Sequence, residues 1–101
     1  MIELNSQRRY KILYISEDSR WIHLRCNEYD IDEPDSFIEL VKRVQKILDG
    51  KIIDLGNTRY CFEEEKMNLI FQWDTLFGIV VEYPENISLK EAVQFLKTFC
   101  D

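Results

Sequence analysis

The segment Asn68-Leu69-Ile70-Phe71-Gln72-Trp73-Asp74-Thr75-Leu76-Phe77-Gly78-Ile79-Val80-Val81-Glu82-Tyr83-Pro84 decides the fold. It reads as two buried strands joined by a tight turn at Asp74, whose carboxylate suits the turn backbone. A period of two places Leu69, Phe71 and Trp73 on one face of the first strand, and Phe77, Ile79, Val81 and Tyr83 on one face of the second. Val80 is apolar as well, so this hairpin is expected at the centre of a sheet. Gly78 within a strand predicts a bulge or a close backbone approach.

Outward from this hairpin the same periodicities define the other elements. Residues 10–15 and 21–26 are rich in aromatic and aliphatic side chains and flank Ser16-Glu17-Asp18-Ser19, a polar turn cluster, so they predict a hairpin. In its second strand Ile22, Leu24 and Cys26 share one face, while Trp21, His23 and Arg25 share a mixed face expected to be partly exposed. A second hairpin is predicted where residues 51–55 and 58–62 flank Gly56-Asn57.

Between these hairpins a helix is expected to start with Asp32 as N-cap, Pro34 in the first turn and Glu33 and Asp35 at the positive end of its dipole, and to stop at Gly50. Phe37, Leu40, Val41, Val44, Ile47 and Leu48 form its apolar stripe, with Lys42, Arg43 and Lys46 on the wet side. Ser88-Leu89-Lys90-Glu91 is a capping box that opens a closing helix with the stripe Leu89, Ala92, Val93, Phe95, Leu96 and Phe99. The order β-β-α-β-β-β-β-α predicts an α+β fold: a mainly antiparallel sheet of about six strands with both helices on one face, because each helix has a single apolar stripe. The 101 residues form one domain, 1–101.

Composition narrows the function. The net charge is −6, yet the first 25 residues carry five bases against three acids, so the acidity lies in the rest of the chain. An acidic surface repels phosphates and anionic membranes and attracts basic partners, so neither nucleic acid nor membrane is expected as a partner. No apolar run of signal-peptide length opens the chain, and none approaches the roughly 20 residues that span a bilayer. Cys26, Cys61 and Cys100 are scattered and odd in number, which fits reduced thiols better than a disulfide framework or zinc site. These features together predict a cytoplasmic protein without metal or cofactor.

The chemistry-bearing residues are few. His23 is the single imidazole, and Cys26, three residues on, falls on the opposite strand face and cannot form a dyad with it. A surface or interface histidine between Trp21 and Arg25 is the expectation, and no residue is expected to be catalytic. The densest acidic run, Glu28-Tyr29-Asp30-Ile31-Asp32-Glu33-Pro34-Asp35, lacks the glycine that turns a calcium loop. Tyr29 set among Glu28, Asp30, Asp32, Glu33 and Asp35 instead suits a hot spot against a basic cleft. Trp21, His23 and Arg25, together with Trp73 and Asp74 at the hairpin turn, are the secondary candidates. Glu63, Glu64 and Glu65 read as a solvated loop.

Residues 71–81 (Phe71-Gln72-Trp73-Asp74-Thr75-Leu76-Phe77-Gly78-Ile79-Val80-Val81), followed by Tyr83-Pro84 and a short terminal helix, resemble small bacterial immunity proteins encoded beside polymorphic or contact-dependent growth-inhibition toxins. The resemblance implies a small, cytoplasmic, non-enzymatic protein that binds and neutralises a cognate toxin domain, commonly a nuclease, by plugging or capping its site. It implies no small-molecule substrate, and a monomer or weak homodimer is expected. A competing expectation is an adaptor or self-associating protein that pairs through the Trp21-His23-Arg25 face.

Overall fold

The computed structural model describes residues 9–26, 33–47, 51–64, 67–74, 76–98 and 100. Strands β1 (Tyr10–Ser16) and β2 (Trp21–Cys26) are joined by a short 3-10 turn, Glu17–Ser19, and followed by helix α1 (Glu33–Ile47). Strands β3 (Lys51–Gly56), β4 (Arg59–Glu64), β5 (Met67–Asp74) and β6 (Gly78–Glu82) come next, and helix α2 (Leu89–Leu96) follows them. All six strands form one antiparallel sheet in the order β1-β2-β6-β5-β4-β3. The chain therefore carries α1 across from β2 to the far edge, then meanders back until β6 docks against β2.

Both helices cover the same face. Phe37, Leu40, Val41 and Val44 of α1 and Ala92 and Leu96 of α2 share one buried cluster with Tyr10, Ile22, Leu24, Phe62, Leu69, Phe71, Ile79 and Val81. The inward set repeats every second residue on each strand, as pleating requires. Phe62 meets Phe71 edge to face, with centroids 5.2 Å apart and planes at 81°, a favoured aromatic geometry. Tyr10 ties β1 to α1: its hydroxyl donates to the Ser36 carbonyl at 2.6 Å, and the Arg43 guanidinium sits 5.1 Å from its ring centroid. Arg43 is itself held by Glu39 one turn earlier, at 2.8 Å. At α2 the capping box forms as its sequence predicts, with Ser88 Oγ accepting from the Glu91 amide and the Glu91 carboxylate accepting from the Ser88 amide.

Local details depart from the sequence reading. Glu63 and Glu64, expected in a solvated loop, instead end strand β4 and pair with Asn68 and Met67 of β5. The β3–β4 turn is centred on Asn57 and Thr58, one residue later than expected; both have positive φ, 54° and 58°, the pattern of a type I′ hairpin. Ile47, expected in the buried stripe of α1, is 47% exposed because it ends the helix. Phe77 does not join Ile79 and Val81 on the inward face. It lies in the turn ahead of β6, and Gly78, at φ 73°, breaks the alternation between it and the strand. Asp32, Leu48, Gly50 and Phe99, assigned as caps or stripe residues, lie outside the described residues.

Candidate functional site

The sheet face turned away from the helices carries the arrangement with the most chemical content. Pleating puts Lys11, Tyr14 and Ser16 of β1, Trp21, His23 and Arg25 of β2, and Val80 and Glu82 of β6 on this face. Tyr14 pairs with His23 and His23 with Val80 across the ladder, which sets a row of side chains perpendicular to the strands. The register shifts between Ile12 and Tyr14, so Leu13 is the extra residue of a bulge. That bulge restores Tyr14 to the position opposite His23.

His23 sits at the centre and is only 2% exposed, although among the described residues no helix covers this face. Aromatic rings enclose it. Tyr14 stacks on the imidazole with centroids 4.0 Å apart and planes at 12°. Trp21 and Phe77 meet it edge-on at 6.0 and 6.3 Å, and contact each other at 5.7 Å. Phe77 is brought there by its turn: Asp74 Oδ1 accepts from the amides of Leu76 (2.6 Å) and Phe77 (3.3 Å), and Gly78 takes the positive φ that re-enters the strand. Burial lowers the His23 pKa from its ordinary value, and a hydrogen bond to the Phe77 carbonyl partly offsets this. The imidazole is therefore favoured as the neutral base at physiological pH. Its Nε2 lies 3.4 Å from Ser16 Oγ. This is a loose contact, and it orients the ring between a hydroxyl on one side and a carbonyl on the other.

The rings that bury His23 are themselves open outward. Tyr14 and Leu13 are each 50% exposed, Phe77 is 49% exposed, and Leu76 at the turn tip is 84% exposed. Exposed apolar residues are ordinary singly, but a group gathered around one buried residue marks an interaction surface. Lys11 and Arg25 oppose each other across β1 and β2, both exposed, so this end of the patch is locally basic within an acidic chain. Farther along the face Arg59 bonds Gln72 at 3.1 Å and reaches Glu82 at 4.0 Å.

The structure brings together three of the secondary candidates, Trp21, His23 and Arg25, and places Asp74 beneath the turn that carries Phe77. Trp73 faces the opposite way, packed against the helix-covered core; its buried Nε1 has no hydrogen-bond partner among the described residues. His23 is thus not the surface histidine expected from its polar neighbours, because Tyr14 and Phe77 close over it. Of the principal acidic candidates, Glu28, Tyr29, Asp30 and Asp32 lie outside the described residues, and Glu33 and Asp35 are placed only as first-turn positions of α1. Sequence reasoning missed Tyr14, Leu76 and Phe77 as surface residues and Ser16 as the neighbour of His23. The available signal was the alternation Lys11–Leu13–Ile15 failing at a bulge, and Asp74 followed by Gly78.

Among the described residues no three His, Cys, Asp or Glu side chains converge as metal ligands do, and no helix is long and apolar enough to cross a membrane. Comparison with protein-family models, with curated proteins and with solved structures returned no match.

Proposed function

We propose that this chain is a non-enzymatic, cytoplasmic protein-binding domain that docks its partner on the helix-free face of the sheet. The observation that carries this reading is the aromatic cluster over His23: the imidazole is buried, while Tyr14 and Phe77 keep about half of their surfaces open and Leu76 most of its own. Such aromatic groups supply large contact areas with few rotatable bonds, as binding hot spots do. The partner is a protein of the class that the immunity-protein resemblance implies, a cognate toxin domain. The net charge of −6 favours a basic one by steering its approach. Lys11 and Arg25 then act at short range, where they select carboxylates on the docked surface and fix its register. The Ser16–His23 contact is structural in this reading: it holds the ring that the aromatic groups pack on.

The test is direct binding. The C-terminal domain encoded by the open reading frame immediately upstream is purified, and its affinity is measured for the native chain and for Leu76→Ala and Tyr14→Ala. The expected result is a loss of at least tenfold for each variant, with unchanged circular dichroism. Native affinity in both variants refutes docking on this face. Dimerisation of the native chain that Tyr14→Ala abolishes, with no binding to the upstream domain, points to the self-associating rival instead.

A further inference from the structure

At the β1 edge of the sheet lies an open cavity of about 530 Å³, lined among the described residues by Ile15, Ser16, Glu17, Asp18 and Leu89. It sits where β1 runs into the 3-10 turn and faces the first residue of α2. The size is within the range of sites that accept a side chain or small ligand. Its walls combine two aliphatic groups, Ile15 and Leu89, with a hydroxyl and two carboxylates. Neither Glu17 nor Asp18 is in an ion pair among the described residues. Apolar walls beneath free carboxylates suit a long side chain with an aliphatic stem and a cationic head, which is the chemistry of lysine and arginine.

The backbone beside the cavity is also open to a partner. β1 is an edge strand, and at its first residue it already accepts another stretch of chain, through the parallel bridge of Tyr10 with Cys100. Lys11 and the bulge at Leu13 hinder further pairing just beyond that bridge, as charges and bulges do on protected edges. Past the bulge, Tyr14, Ile15 and Ser16 have neither obstacle and lead directly into the cavity. We infer that an extended segment of a protein partner pairs with the β1 edge over Tyr14, Ile15 and Ser16 and lodges a lysine or arginine against Glu17 and Asp18. Main-chain bonds along the edge supply affinity and the acidic cavity supplies side-chain selection, the division of labour in strand addition. The inference rests on the reading of this chain as a protein-binding domain, but it engages the outer backbone edge of β1 and the Glu17–Asp18 turn; Tyr14 and Ser16, whose side chains belong to the aromatic face, are shared by the two sites. The overall charge of −6 favours the same basic chemistry.

The probe is a short capped peptide of alternating threonine and valine with one central arginine, titrated into the isotope-labelled chain while amide chemical shifts are followed. A matched peptide with glutamate in place of arginine is the control. Saturable shifts at Tyr14, Ile15, Ser16, Glu17, Asp18 and Leu89 with the arginine peptide alone are expected. Their midpoint should rise at least tenfold in the double variant Glu17→Lys, Asp18→Lys, whose exposed positions leave the core untouched. Equal responses to both peptides, shifts confined to Trp21, His23, Leu76 and Phe77, or no saturable shift overturn the inference. Phe77→Ala leaves the peptide response intact. An upstream domain that still binds through Leu76 and Tyr14 while the peptide leaves β1 unmoved would therefore refute the edge site alone.

Discussion

Replacing Phe77 by alanine tests whether the aromatic cluster is a built structure or a chance grouping of rings. Phe77 has about half of its surface covered, against Trp21 and His23. Full burial of a phenylalanine side chain is worth roughly 1.5–3 kcal/mol, so half is about 1 kcal/mol. Its two edge-on ring contacts add on the order of 0.5 kcal/mol each at this exposure. Phe77→Ala should therefore cost about 2 kcal/mol in urea unfolding, with an unchanged denaturant slope. For a domain of this size that corresponds to a fall in Tm on the order of 10 °C. Leu76→Ala, at the exposed tip of the same turn, should cost close to nothing.

The same substitution has a second consequence that simple loss of packing does not produce. Burial is the largest cause of the lowered His23 pKa, and Phe77 is one of the walls that enforce it. Opening that wall hydrates the imidazolium, so the His23 pKa in Phe77→Ala should move up toward its ordinary value of 6.5. The backbone carbonyl at position 77 remains to accept the ring N–H. The assay is a pH titration of the His23 ring resonances in native and variant protein. A His23 pKa that does not rise, with the fold intact, refutes the claim that Phe77 helps to seal this residue. An equal loss of stability in Leu76→Ala refutes the division between the residue that closes the cluster and the residue that only faces a partner.

Four further outcomes follow from the same geometry. His23 has its pKa lowered in the fold, so as pH falls through about 6.5 the unfolded chain takes up protons before the folded one and stability drops; the stability advantage of native protein over His23→Gln should be larger at about pH 7.5 than at about pH 5.5, and a pH-independent difference would contradict this. Thr58 occupies φ 58°, which costs a β-branched residue on the order of 1–2 kcal/mol; Thr58→Gly should stabilise by about 0.5–1 kcal/mol after the entropy of the added glycine, and chemical denaturation showing a loss would count against the turn assignment. Ser88→Ala removes one half of the capping box and should lower unfolding free energy by about 1 kcal/mol, with an effect near zero disproving the cap's contribution. Reversing Asp30, Asp32 and Glu33 together should slow association with a basic toxin domain, with the loss shrinking as salt screens charges beyond about 8 Å; a larger effect from reversing Glu63, Glu64 and Glu65 would move the acidic contact to the end of β4, where Glu63 and Glu64 lie.

Much of the fold was legible because its signals are local and repetitive. Ile22 and Leu24, Leu69 and Phe71, and Ile79 and Val81 declare one buried face by alternation alone, and all six sit in the core. Ser88 and Glu91 declare a helix start because the two groups that satisfy each other lie three residues apart. Strand order was less accessible. The pairing of β2 with β6 joins segments more than fifty residues apart, and no periodicity within either strand names its neighbour. Thr58 shows a different limit, since composition favours Gly56-Asn57 as the turn while the register of Gly56 with Arg59 moves it one residue on.

The candidate site was harder to read because each of its parts depends on an irregularity. Alternation places His23 on the sparsely apolar face of β2, and on that evidence it belongs in water. Its burial needs Tyr14, which reaches the position opposite His23 only because Leu13 is an extra residue in β1. It also needs Phe77, which strand periodicity assigns to the core and which Asp74 and Gly78 turn to the other face. One bulge in β1 and one positive-φ turn ahead of β6 thus converge on one imidazole. Bulges and positive-φ glycines re-aim side chains at some cost in sheet regularity. A fold that needed only its helix-covered core would gain nothing from either device on the open face. The aromatic cluster is better explained as a surface shaped for contact, and Tyr14, Leu76 and Phe77 are the residues through which that contact is to be sought.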